Sequence, residues 1–160
     1  MIRAVTPNDA KQLAAIYNHY VLNTVVTFDD VPFSEEEFKH KIAGIVSNYP
    51  FFVFEEGAKI LGYAYANKWR EKPAYRHTVE STVYVHHEAQ GQQIGYKLYA
   101  QLLNYLKAQE CHVVVGGLTL PNEASVKLHE KFGFKQVAHF KEVGLKFNRW
   151  LDVGFWQLTF

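Results

Sequence analysis

Between Thr6 and Pro50 the apolar residues of two stretches recur every three or four positions, and from Pro50 to Val85 the period changes to that of strands. That change of period constrains the fold, because a 3.6-residue repeat buries one stripe of a helix whereas a two-residue repeat buries one face of a strand. Thr6-Pro7-Asn8-Asp9 reads as a helix start, with Thr6 as N-cap, Pro7 at the first helical position and Asp9 reaching back. Leu13, Ile16, Tyr17 and Tyr20 then make one apolar stripe. Ser34-Glu35-Glu36-Glu37 is a capping box opening a second helix, with Phe38, Ile42 and Ile45 on one face, and Pro50 ends that region.

From there the pattern favours strands. Residues 51–54 and 60–66 flank a turn at Glu56-Gly57 and read as a hairpin. Residues 78–85 are rich in β-branched and aromatic side chains, with Val79, Ser81, Val83 and Val85 on one face and Glu80, Thr82 and Tyr84 on the other unless a bulge intervenes. A helix is predicted over 95–109, a short strand over 112–116, a helix from N-cap Asn122 to Phe132 with Gly133 as C-cap, and strands over 134–143 and 151–160. The order β-α-α-β-β-β-α-β-α-β-β implies an α/β (α+β) fold. Its sheet is mixed, mostly antiparallel and seven-stranded, with helices on both faces and one domain over residues 1–160.

Composition narrows the function classes. A chain of 160 residues that is 48% hydrophobic buries roughly 70% of its unfolded surface, enough for a core without metal or disulfide staples. Cys111 is the single cysteine, which excludes an intramolecular disulfide and points to a reducing, cytoplasmic setting. Seventeen basic against 16 acidic side chains argue against a nucleic-acid binder. Short apolar runs and an N-terminus without a charged-then-apolar pattern disfavour membrane spanning and secretion. Eight histidines lack metal-ligand spacing, so no metal is expected. The aromatic share of 16% is explained first by core packing, and only position can assign any of those rings to a ligand.

The most informative segment is His86-His87-Glu88-Ala89-Gln90-Gly91-Gln92-Gln93-Ile94-Gly95, which joins a strand to a helix. A glycine-containing turn at a helix N-terminus presents free N–H groups and the positive end of the helix dipole, which suits a pyrophosphate; it also suits an ordinary connection. Gln90-x-x-Gln93-x-Gly95 resembles the Arg/Gln-x-x-Gly-x-Gly/Ala acetyl-CoA loop of the GNAT superfamily of N-acetyltransferases. Residues 78–85, 120–130 and 146–158 look more specifically like the phosphinothricin and methionine sulfoximine/sulfone N-acetyltransferases, a likeness that runs over essentially the whole chain.

The resemblance implies acetyl-CoA as co-substrate, held by the backbone of Val83, Tyr84 and Val85, by the loop Gly91, Gln92, Gln93, Ile94, Gly95 and Tyr96, and by Asn122 and Lys131. It makes Glu80 the general base, Val83 N–H the oxyanion donor and His129 the proton donor to the thiolate or a substrate contact, although a satisfied helix-face histidine fits His129 equally. It assigns Phe28, Arg70, Lys72, Ala74, Tyr75 and Arg76 to a small anionic amino-acid substrate, and it implies a homodimer. Lys146 and Arg149-Trp150 shape either the pocket or the dimer contact. Gln93 stands where the family usually has glycine, a departure expected to weaken cofactor binding if φ is positive there. Nothing in sequence activates Cys111 as an acyl-accepting nucleophile, so direct transfer is expected. The alternatives are acetylation of a protein N-terminus or lysine, and a domain that binds acyl-CoA without turnover.

Overall fold

The two periods resolve into strands and helices over residues 1–160 of the computed structural model. In chain order these are β1 (Ile2–Ala4), α1 (Ala10–Asn23), α2 (Glu35–Val46), β2 (Phe51–Glu56), β3 (Lys59–Lys68), β4 (Thr78–Val85), α3 (Ile94–Ala108), β5 (Val113–Leu120), α4 (Glu123–Lys131), β6 (Lys135–Lys146) and β7 (Arg149–Thr159). The seven strands form one sheet in the order β1-β2-β3-β4-β5-β7-β6. Every neighbouring pair is antiparallel except β4–β5, where α3 provides the crossover that a parallel pair needs.

Helices cover both faces. Leu13, Tyr17, Phe38 and Ile42 from α1 and α2 pack with Val53 and Tyr63 on one side, while Leu98, Leu102 and Leu106 from α3 pack with Ala64, Ala66 and Val114 on the other. Alternation in β4 follows: Tyr84 joins the α1 side, and Val79, Val83 and Val85 join the α3 side. The expected element order and layering are those observed. Ser34 Oγ accepts the Glu37 N–H at 3.1 Å while the Glu37 carboxylate accepts the Ser34 N–H at 2.9 Å, so the capping box is real.

Boundaries differ where tertiary contacts outweigh local pattern. Thr6 does not open α1 directly; Pro7–Asp9 form a 3-10 turn, with Asp9 Oδ2 accepting the Thr6 N–H at 2.7 Å, and the α-helix begins at Ala10. The strand expected over 112–116 runs from Val113 to Leu120, because Gly116 and Gly117 are sites of close approach inside the strand rather than its end. A Cβ on Gly116 would lie 2.6 Å from His129 Nε2, and one on Gly117 would lie 2.9 Å from the Phe155 ring. Strands expected over 134–143 and 151–160 extend to Lys146 and start at Arg149, joined by Phe147 and Asn148 with φ of 51° and 56°. Positive φ at both positions of a two-residue turn matches strand twist, and here it is built without glycine. Replacing Ser34 by Ala should cost about 1 kcal/mol in urea denaturation, with Glu37 losing its reciprocal partner.

Candidate active site

The site is created where a sheet ladder stops. β4 and β5 pair only at Thr78–Val113, Val79–Val114 and Glu80–Val115, although β4 continues to Val85 and β5 to Leu120. Beyond Glu80 the two strands diverge. His86 N–H donates to Leu61 O at 2.8 Å, so alternation turns Thr82 and Tyr84 toward β3 and turns the N–H and C=O groups of Val83 and Val85 into the gap. Backbone groups left facing a gap need partners. One of them has found one: Val85 O accepts the Tyr20 hydroxyl from α1, which in turn accepts Gln90 Nε2 at 3.0 Å.

A cavity of about 540 Å³ fills the gap on the α3–α4 side, lined by the Val83–Val85 backbone, Gln90, Gly91, Gln93, Gly95, Tyr96, Asn122 and Ser125. Its floor is the loop after β4. His19 of α1 stacks on His87, with ring centroids 3.9 Å apart and planes within 8°, at the loop's start. Gly91 has φ of 79°, and Gln93 has φ of 61° and ψ of 17° as the N-cap of α3. Unlike Ser34 and Asn122, which cap α2 and α4 with their side chains, Gln93 makes no side-chain cap bond. The first-turn N–H groups of α3 therefore stand open toward the cavity with the positive end of the helix dipole, an arrangement that fits a pyrophosphate.

A second cavity, about 300 Å³, lies beside the first and shares Val26, Val83 and Tyr84 with it. Glu80, Thr82, Thr119 and His129 supply its polar lining, and Phe28, Val153 and Phe155 its apolar wall. Glu80 occupies the vertex of the fork, opposite Asn67 on β3 and Val115 on β5. Burial pushes its carboxyl above the ordinary range, and the charge of Arg70 pulls the other way. His129 is buried, its Nδ1–H donating to Ser125 O at 2.7 Å while Nε2 lies 3.0 Å from the Tyr99 hydroxyl, which is bonded in turn to Ser81. Burial lowers the imidazole's pKa, so His129 is a neutral group joining α4 to α3 and β4.

Among the sequence candidates, the structure gathers Val83, Tyr84, Val85, Gly91, Gln93, Ile94, Gly95, Tyr96 and Asn122 around the first cavity, and Glu80, His129 and Phe28 around the second. Gln92 and Lys131 line neither; the Lys131 ammonium sits 4.9 Å over the Tyr96 ring at the rim. Lys72, Ala74, Tyr75 and Arg76 are exposed around a short turn (Pro73–Tyr75) outside both linings. Arg70 is also outside both linings; it lies over the Trp69 ring at 5.0 Å, and Trp69 meets Phe155, a wall residue of the second cavity, edge-on at 5.8 Å. Cys111 is half-buried with its thiol pushed up by burial, the opposite of an activated nucleophile, and it lines neither cavity. Sequence reasoning missed Tyr20, Thr27 and Phe155, which come from elements far apart in the chain and carry no local sign of a site.

A forked β4–β5 pair with an uncapped helix N-terminus in the fork defines a class, and comparison with known proteins identifies it. Residues 2–154 match the Acetyltransferase (GNAT) domain. The chain is 41% identical to the phosphinothricin N-acetyltransferase of Streptomyces coelicolor, covering 98% of this chain and 94% of that protein. It is 37% identical to the L-methionine sulfoximine/L-methionine sulfone acetyltransferase of Salmonella typhimurium, covering 98% and 92%. Among solved structures it is similar to a GNAT superfamily phosphinothricin acetyltransferase from Sinorhizobium meliloti in complex with AcCoA, with TM-score 0.96, 33% identity, and coverage of 99% of this chain and 87% of that one. The chain belongs to the GNAT acetyltransferase family and is an acetyltransferase.

Gln93 pays a conformational penalty in the left-handed region that glycine avoids. Gln93→Gly should make the protein about 0.5–1 kcal/mol more stable in urea denaturation, the relief of strain exceeding the extra freedom glycine gives the unfolded chain.

Proposed function

We propose that the protein moves the acetyl group of acetyl-CoA directly to the α-amine of a small anionic amino acid or analogue, of the size of glutamate, phosphinothricin or methionine sulfoximine. The observation that carries this reading is that two cavities meet on the Val83–Tyr84 backbone with Glu80 on one side and the open α3 N-terminus on the other. Acetyl-CoA occupies the larger cavity, its pyrophosphate on the Gly91–Gly95 loop and its amide arm along Val83–Val85. The thioester then lies at the junction, where Val83 N–H can donate to the developing oxyanion.

The acceptor enters the smaller cavity as an ammonium. Glu80 removes one proton, directly or through a water; the amine attacks the thioester carbonyl, and the second proton ends on the departing sulfur. A carboxyl whose pKa is raised by burial is a better base for this step than an ordinary surface glutamate. Neutral His129, with both ring nitrogens engaged, holds the wall of this cavity in place. Arg70 at the rim, with Lys72 and Arg76 beyond it, supplies positive charge for the acceptor's carboxylate and phosphinate-like or sulfone oxygens. The same reading places a second copy against the β6–β7 hairpin, where Val143, Leu145, Phe147 and Trp150 are each more than half exposed. No helix is long and apolar enough to cross a membrane, in keeping with action in the cytoplasm.

The test is thiol release from acetyl-CoA with a panel of small amino acids, their analogues and short peptides. Turnover with glutamate- and methionine-like acceptors is expected; failure with every small acceptor refutes the reading. Glu80→Gln should reduce kcat at pH 7 by roughly 100- to 10,000-fold and leave the KM for acetyl-CoA unchanged. Wild-type activity should rise with pH as Glu80 deprotonates, and that limb should vanish in the variant. Because the folded state holds the Glu80 proton more tightly than the unfolded chain, stability falls as pH rises through its raised pKa. Glu80→Gln should therefore be at least as stable as wild type at pH 7, which a melting curve checks.

A further inference from the structure

Lys146 is a charged side chain only 4% exposed, and its Nζ donates to a single acceptor, Thr27 O, at 2.8 Å. Two residues earlier Gly144 is also buried, and a Cβ there would overlap Cε2 and Cζ of Phe28. Two neighbouring inward positions of β6 thus touch consecutive residues of the loop between α1 and α2. That loop is tied from its other side by Tyr17 of α1, whose hydroxyl bonds Thr27 Oγ1 at 2.7 Å and the Asp29 carboxylate.

The contact is prepared by a bulge. β6 and β7 pair at Phe140–Val153 and again at Gly144–Leu151, so three residues of β6 oppose Asp152 alone. The Asp152 carboxylate accepts the Glu142 N–H at 2.9 Å and the His139 Nε2–H at 2.8 Å, and Glu142 takes a φ of 53°. A bulge bends its strand. Past this bend, Gly144 and Lys146 meet Phe28 and Thr27, both of which line the smaller cavity.

We propose that Gly144 and Lys146 are positioning residues for the acceptor site, setting Phe28 against β6 so that its ring forms a fixed wall of the smaller cavity. This rests on the reading of that cavity as the acceptor site. Gly144 provides the flat surface on which the ring lies, and Lys146 fixes the backbone one residue before it. Neither touches the acceptor, and both act through Phe28. The role of the 144–152 segment is then to brace the acceptor loop from beneath.

The test uses Gly144→Ala, Lys146→Met, Phe28→Ala and the double variant Phe28→Ala/Gly144→Ala in the full chain. For the amino acid that the wild type acetylates best, Gly144→Ala and Lys146→Met should each raise the acceptor KM about tenfold while the acetyl-CoA KM stays within about twofold. Gly144→Ala should lower the melting temperature in the wild-type background and leave it unchanged in the Phe28→Ala background, since the ring it strikes is gone. An unmoved acceptor KM, an equal rise in both KM values, or a full Gly144→Ala effect without Phe28 would each overturn the proposal. Absence of any wild-type turnover with small amino acids would instead contradict the function proposed above, while the melting-temperature cycle would still read the Phe28–Gly144 contact.

Discussion

Everything functional in this molecule depends on the failure of β4 and β5 to keep pairing. Three parallel pairs hold the strands together up to Glu80 and Val115, and then each continues alone. In most sheets such divergence would strand backbone donors and acceptors at a cost of about 1–3 kcal/mol apiece. Here the gap is propped open by polar contacts from other elements. Tyr20 takes the Val85 carbonyl, and the chain Ser81–Tyr99–His129–Ser125 spans β4, α3 and α4 beside the vertex. Glycines at 116 and 117 allow His129 and Phe155 to lie directly against β5. The fork is consequently a built shape, with backbone hydrogen-bonding groups facing a cavity rather than a neighbouring strand.

Several features that stability would ordinarily avoid lie at the fork and the cavities beside it. Gln93 sits in the left-handed region with no side-chain cap on α3, and Glu80 holds a carboxyl in partial burial with its pKa pushed up. Lys146 is buried on a single carbonyl. The scaffold around them is regular where it carries the core: α2 has its capping box, and apolar stripes from the helices fill both faces of the sheet. Local departures from good folding practice, offset by a well-made scaffold, are the usual mark of a working site.

Much of this was legible in the chain because it is written in short-range chemistry. Periodicity separates α1 and α2 from the strands, Ser34 and Asn122 mark helix starts, and the β-branched run around Glu80 marks β4. The loop at Gly91–Gly95 announces itself by glycines ahead of a helix, and Gln93 does occupy the positive φ that the family pattern implies. What stayed hidden is decided by distant partners. Gly116 and Gly117 look like a strand end until His129 and Phe155 are seen to occupy the space of their missing side chains. Tyr20 reads as part of a helix stripe and Thr27 carries no signal of its own, while Lys146 is left between pocket and dimer contact; only the fold brings them to the cavities or their braces. The cluster from Arg70 to Arg76 illustrates the reverse, since contiguity in sequence does not make contiguity in the site: none of the four basic and aromatic side chains lines either cavity, and only the charge of Arg70 acts on Glu80.

The central claim is that two cavities joined at Val83–Tyr84 hold donor and acceptor together for direct transfer. Initial velocities measured over a grid of acetyl-CoA and amino-acid concentrations test it without any variant. Double-reciprocal lines that intersect to the left of the ordinate are the predicted result, because both substrates must be bound before acetyl moves. Parallel lines, with acetylated protein isolated after incubation with acetyl-CoA alone, would contradict the account and reveal an acyl-enzyme route that neither Cys111 nor the fork explains.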